Sequence, residues 1–162
     1  MKLKRFLLSQ IQNSLQPGKV LVLYGPRQVG KTTLAKELIE ILPLRSKFIN
    51  ADEIVYRDVL ASQSRQRLGE LLGDSELLII DEAQRVPEIG LNLKILVDSF
   101  PHARVIATGS ASFDLANKIS EPLTGRKLTF NLYPVSYREI QETICMIETR
   151  SQLERWLVWG GY

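Results

Sequence analysis

The residues with the most legible chemistry are Gly25, Pro26, Arg27, Gln28, Val29, Gly30, Lys31, Thr32 and Thr33, which read G-x-x-x-x-G-K-T-T between an apolar run and a helical pattern. Glycine at both ends lets the backbone curl so that successive N–H groups face inward, and the following helix adds the positive end of its dipole. Such a loop cradles phosphate. Lys31 supplies a mobile cation for β and γ phosphates, and the Thr32 hydroxyl stands where Mg²⁺ would bridge the same oxygens. A nucleoside triphosphate is the implied ligand.

A second group lies fifty residues after Lys31, where Leu77-Leu78-Ile79-Ile80 ends in Asp81-Glu82. A buried strand that delivers an aspartate at its C-terminal tip sets that carboxylate beside the phosphate loop, at the sheet edge where open α/β folds bind ligands. Asp81 is expected in the Mg²⁺ shell. Glu82, one residue on, is placed to orient and partly deprotonate a water attacking the γ-phosphate. A third strand tip carries Thr108-Gly109-Ser110. Ser110 is the first candidate for a hydroxyl reaching the γ-phosphate or the attacking water, and Thr108 the second. Ser110 and Ser112 read equally as caps for a helix carrying Phe113, Ala116 and Ile119.

These groups need strands that end side by side. Residues 20–24 and 77–80 are apolar without alternation, the pattern of strands buried on both faces of a parallel sheet, and Ala103 to Thr108 reads as another inner strand. Lys47 to Asn50 and Lys127 to Leu132 complete five strands. Leu34, Leu38, Ile41 and Leu42 line a helix that Pro43 ends, and Ile89, Leu93, Leu96 and Phe100 line another after Pro87. Asp52 is expected to cap a helix starting near Glu53, with contact to nucleotide the alternative. Residues 60–75 are polar and broken by glycine, with Arg65 and Arg67 solvated, and they receive no function. Helices are expected from about Ser136 to Met146 and from Leu153 to Trp159.

Composition excludes several classes. A chain of 162 residues with 44% hydrophobic and 24% charged residues describes one globular domain. The net charge of +3 is compatible with nucleic acid but does not argue for it. Cys145 stands alone, so there is no disulfide framework, and a reducing cytoplasm fits. His102 is the single histidine, which excludes a multi-histidine metal centre. The basic start resembles a signal peptide, yet Ser9, Gln10, Gln12 and Asn13 interrupt it while Phe6, Leu7, Ile11 and Leu15 recur at helical spacing. An amphipathic helix packed on the core is the expectation, with membrane-surface binding as the alternative and no membrane span.

The order of these groups resembles the AAA+ ATPases. More narrowly, residues 25–33, Asp-Glu-Ala-Gln-Arg-Val-Pro-Glu at 81–88, Thr-Gly-Ser at 108–110, Gly-Arg at 125–126 and Leu-Tyr-Pro-Val-Ser-Tyr-Arg-Glu-Ile at 132–140 are similar to a prokaryotic family of predicted AAA-type ATPases. The resemblance implies an α/β, three-layer P-loop NTPase core with a five-stranded parallel sheet of order 5-1-4-3-2, helices on both faces, ATP and Mg²⁺ as ligands, and ATP hydrolysis. It divides the chain into a helix at 1–17, an AAA-like domain at 18–150 and, at 151–162, the start of a truncated C-terminal region. Such chemistry also uses an arginine at the γ-phosphate. Arg126 is the first candidate, in cis or across a subunit contact, with Arg27 and Arg85 as others. Self-association or a partner protein would complete the site and speed slow turnover. Two further readings of the same loop are a nucleotide-dependent switch that does not hydrolyse and a small-molecule kinase.

Overall fold

A computed structural model describes residues 3–110, 119 and 121–143. The chain runs α1 (Phe6–Ser14), β1 (Val20–Gly25), α2 (Lys31–Ile41), β2 (Ser46–Asn50), α3 (Ile54–Leu60), α4 (Arg65–Leu72), β3 (Leu77–Asp81), α5 (Ile89–Ser99), β4 (Arg104–Ser110), β5 (Lys127–Asn131) and α6 (Tyr137–Thr143). The five strands pair in the order β2-β3-β4-β1-β5. Every pairing is parallel. This is the expected 5-1-4-3-2 order of a P-loop NTPase, read from the other edge.

Strands without alternation are apolar on both sides because both sides are covered. Val20, Val22, Leu78, Ile80, Val105 and Ala107 face a core shared with Leu60, Leu68, Leu93 and Leu96 of α3, α4 and α5. Leu21, Leu23, Leu77, Ile79 and Ile106 face the opposite core, with Ile11 of α1 and Leu34 and Leu38 of α2. Helices therefore lie on both faces of the sheet. The outer strands β2 and β5 are only partly buried, as their positions at the edges require.

Two local expectations change. Within residues 60–75, expected to be polar and broken by glycine, Arg65–Leu72 forms α4: Leu68, Leu71 and Leu72 stand at helical spacing and are buried, and Ser64 caps the helix by accepting the Arg67 N–H. Gly69 belongs there because an added Cβ would lie 2.7 Å from the Phe100 ring, so this glycine lets α4 approach the end of α5. Asp52 does not cap α3. Its N–H is taken by the Asn50 side chain in a tight turn, and its carboxylate instead reaches Arg85 at 3.2 Å. Glu53 occupies the cap position without a side-chain bond. The expected elements around Phe113 and Ala116, the end of the helix toward Met146, and Leu153 to Trp159 lie outside the described residues, as does Ser112.

Candidate functional site

The loop between β1 and α2 is shaped by two glycines for different reasons. At Gly25 the cause is space: a Cβ would lie 2.6 Å from the Leu132 carbonyl oxygen and 2.9 Å from Val29 Cγ1. At Gly30 the cause is backbone angle, since φ is +96° in the residue that caps α2. Gln28 also holds a positive φ of 64°. The left-handed turns at Gln28 and Gly30 open the loop toward a cavity of about 500 Å³.

Arg27, Gln28, Gly30, Lys31, Thr32 and Thr33 line that cavity, and so do Asp52, Glu82 and Arg85. Gly25, Pro26 and Val29 build the loop from behind; the Val29 side chain is buried in the α2-side core. Lys31 is 5% exposed, and its ammonium donates to the Gly25 oxygen at 2.9 Å and the Pro26 oxygen at 2.7 Å. Burial lowers its pKa below the usual lysine value, while the charges of Glu82 and Asp81 act the other way. A buried cation on neutral carbonyls is an available partner for an anion.

Asp81 ends β3 and is 4% exposed. Thr32 Oγ1 donates to its Oδ2 at 2.7 Å, and Thr108 Oγ1 donates to its Oδ1. The two hydroxyls come from α2 and β4 and meet on the carboxylate of β3; of the three residues, Thr32 lines the cavity. Glu82 adopts a left-handed φ of 55°, which turns the chain out of the strand into a one-turn 3₁₀ helix at Ala83–Arg85. Its carboxylate accepts the Gln84 side-chain N–H, and its own N–H reaches Thr108 Oγ1 at 3.4 Å. The other amide atom of Gln84, Oε1, is buried without a partner among the described residues.

Not every candidate arrives here. Ser110 ends β4 in register with Gly25 and is not among the cavity-lining residues, whereas fully buried Thr108 is the hydroxyl bonded to Asp81. Arg126 lies at the opposite end of the strands, where β1 and β5 begin. It precedes β5, its carbonyl accepts the Val20 N–H at the start of β1, and five residues of β1 then separate that level from Gly25, about 17 Å of strand. Its guanidinium pairs with Asp98 at 2.6 Å. Arg126, the first arginine expected at the γ-phosphate, is not among the cavity-lining residues, whereas Arg27 and Arg85 are.

The AAA domain family matches residues 17–141, which include the loop, both acidic residues, Thr108 and four of the five helices from α2 to α6 in full. The chain belongs to the AAA domain family. This AAA domain is 35% identical over 138 residues to an uncharacterized protein of Mycobacterium tuberculosis, covering 85% of this chain and 30% of the relative. An uncharacterized AAA domain-containing protein of the same organism is 25% identical over 123 residues, 76% of this chain and 27% of its own. An uncharacterized protein of Methanocaldococcus jannaschii is 27% identical, with 94% of this chain and 37% of its own covered. The chain thus spans about a third of the length of these relatives. Among the described residues, no helix of the AAA domain is long and apolar enough to cross a membrane.

Proposed function

We propose that this AAA domain binds ATP with Mg²⁺ and hydrolyses it. The observation that carries the reading is that Lys31 and Thr32 from the start of α2 and Glu82 after β3 line one cavity, with Thr32 hydrogen-bonded to Asp81 at the end of β3 and Asp81 in turn to Thr108 of β4. In this reading the loop N–H groups and Lys31 hold the β and γ phosphates, Lys31 exchanging its carbonyl partners for phosphate oxygens.

Among the described residues, no cluster of histidine, cysteine or carboxylates holds a metal by itself. Thr32 and Asp81 are instead a pair of hard oxygen donors 2.7 Å apart beside the loop, a donor set that suits Mg²⁺ completed by phosphate oxygens and water. Bound there, Mg²⁺ would neutralise charge on the phosphate oxygens. Thr108 keeps the Asp81 carboxylate oriented toward Thr32. Glu82, tethered by Gln84, orients the attacking water and accepts its proton. Arg27 or Arg85 supplies positive charge within the chain. Arg126 contributes only to the cavity of a neighbouring copy, where an arginine is worth about 10³–10⁵ in rate.

The test is ATP turnover with Mg²⁺ over a range of protein concentrations for the unaltered chain, Lys31→Ala, Glu82→Gln and Arg126→Ala. Turnover lost with Lys31→Ala and Glu82→Gln supports hydrolysis at this site, and a rise per chain with concentration that Arg126→Ala removes supports completion in trans. ATP binding that Lys31→Ala removes, without turnover at any concentration, would replace hydrolysis with a nucleotide-dependent switch. Turnover that requires an added acceptor would mark a kinase.

A further inference from the structure

Arg5 lies before α1, in the basic start of the chain and outside residues 17–141, yet its side chain ends behind the phosphate loop. All three guanidinium nitrogens are engaged, and the side chain is 10% exposed. Nε donates to Glu139 Oε1 at 3.1 Å, Nη1 to the Val29 carbonyl at 3.1 Å, and Nη2 to the Tyr133 carbonyl at 2.5 Å. Glu139 is itself buried and gathers the ends of two helices. It accepts the Phe6 N–H at the start of α1, and the N–H and hydroxyl of Ser136, whose Oγ in turn accepts the Glu139 N–H. That reciprocal pair is a capping box at the start of α6.

The contact with Val29 has a geometric consequence. In a trans peptide the carbonyl of one residue and the N–H of the next point in opposite directions. Holding the Val29 oxygen from behind therefore fixes the Gly30 N–H toward the other side of the loop, and Gly30 lines the cavity. The same Nη1 would lie 3.7 Å from a methyl placed on Gly30, so the guanidinium backs this peptide closely. A glycine at this position leaves the peptide free to rotate when nothing holds it.

We infer that Arg5 is a positioning residue of the nucleotide site: it sets the Val29–Gly30 peptide with its N–H aimed at phosphate, and through Glu139 it makes that setting depend on the docking of α1 and α6. The inference rests on the nucleotide-binding reading, and it adds a coupling between phosphate affinity and two helices that do not touch the phosphates. By linkage, bound phosphate then tightens the docking of both helices by the same factor.

The experiment measures ADP and ATP affinity by calorimetry, and the Gly30 amide resonance by ¹H–¹⁵N spectroscopy, for the unaltered chain, Lys31→Ala, Arg5→Ala, Arg5→Lys and Glu139→Gln. Arg5→Ala is expected to weaken both nucleotides by about tenfold, the scale of one charge-assisted hydrogen bond, and to move the Gly30 resonance in the nucleotide-free protein. Arg5→Lys, with one point donor in place of a fork, recovers part of the affinity. A merely structural arginine would lower the melting temperature and leave the affinity of the folded protein intact. Folded Arg5→Ala that binds ADP and ATP within about twofold of the unaltered chain would overturn the inference. If Arg5→Ala does not fold, Glu139→Gln decides by the same two readouts. Failure of the unaltered chain to bind either nucleotide, with the Gly30 resonance still moved by Arg5→Ala, would overturn the nucleotide reading and leave the loop positioning standing.

Discussion

Replacing Thr108 with valine tests whether the acidic site is held by a hydroxyl or by shape alone. Thr108 is fully buried, its Oγ1 donates to Asp81 Oδ1, and it lies 3.4 Å from the Glu82 nitrogen. Valine preserves the outline and deletes the hydroxyl. The lost hydrogen bond to a charged acceptor is worth about 1.5–3 kcal/mol, and the long contact to Glu82 adds at most about 0.5 kcal/mol. A loss of roughly 2–3 kcal/mol in a domain of this size lowers the melting temperature by about 4–12 °C. Serine keeps the hydroxyl and loses one methyl, a cost of about 1 kcal/mol. The order of stability at neutral pH is therefore threonine, serine, valine, measured by urea and thermal unfolding without nucleotide. Packing alone gives the reverse order for the two variants. Thr108→Val as stable as the unaltered chain, or more stable than Thr108→Ser, would refute the reasoning.

Gly25→Ala places a methyl 2.6 Å from the Leu132 carbonyl, a backbone atom at the end of β5, so overpacking should cost about 1–3 kcal/mol and lower the melting temperature in calorimetry. Lys31 has a lowered pKa because of burial, so it loses its proton below the usual lysine range of about 10.4; phosphate favours the charged form. ADP affinity, followed by titration calorimetry, should thus fall as pH rises through that depressed value, with proton uptake on binding in the same window. Burial alone would raise the Glu139 pKa, but the backbone N–H groups of Ser136 and Phe6, the Ser136 hydroxyl and Arg5 outweigh it and hold it below the ordinary glutamate value. Its contribution to stability is complete above the unfolded pKa of about 4.3 and is lost as pH falls through the lower folded value, at up to about 1.4 kcal/mol per pH unit. Glu139→Gln should remove that part of the acid slope in urea titrations.

The core of this fold was legible because its strands are continuous apolar runs, a pattern that only a sheet covered on both faces makes favourable. Local signals mark two of the helices as well. Leu68, Leu71 and Leu72 carry the helical spacing of α4, and Ser136-Tyr137-Arg138-Glu139 carries the capping-box spacing of α6. Asp52 shows the limit of such signals: a residue type suited to capping was drawn into a turn and an ion pair by Asn50 and Arg85, which lie off the helix.

By itself the sequence determined the phosphate loop, since the glycines, Lys31 and Thr32 are neighbours whose backbone geometry is local, and it determined that Asp81 and Glu82 end a buried strand. Tertiary structure alone decided which distant residues meet them. Strand order places β4 beside both β1 and β3, so Thr108 reaches Asp81, while Ser110, two residues on, runs past it to the level of Gly25. Strand direction leaves Arg126 at the end of the strands opposite the loop. Arg5 and Glu139, separated by 134 residues, meet behind Val29 only once the sheet has brought the two ends of the described chain together. No local pattern encodes that meeting, because its partners are set by the packing of α1 and α6 and by the path of β5, not by spacing along the chain.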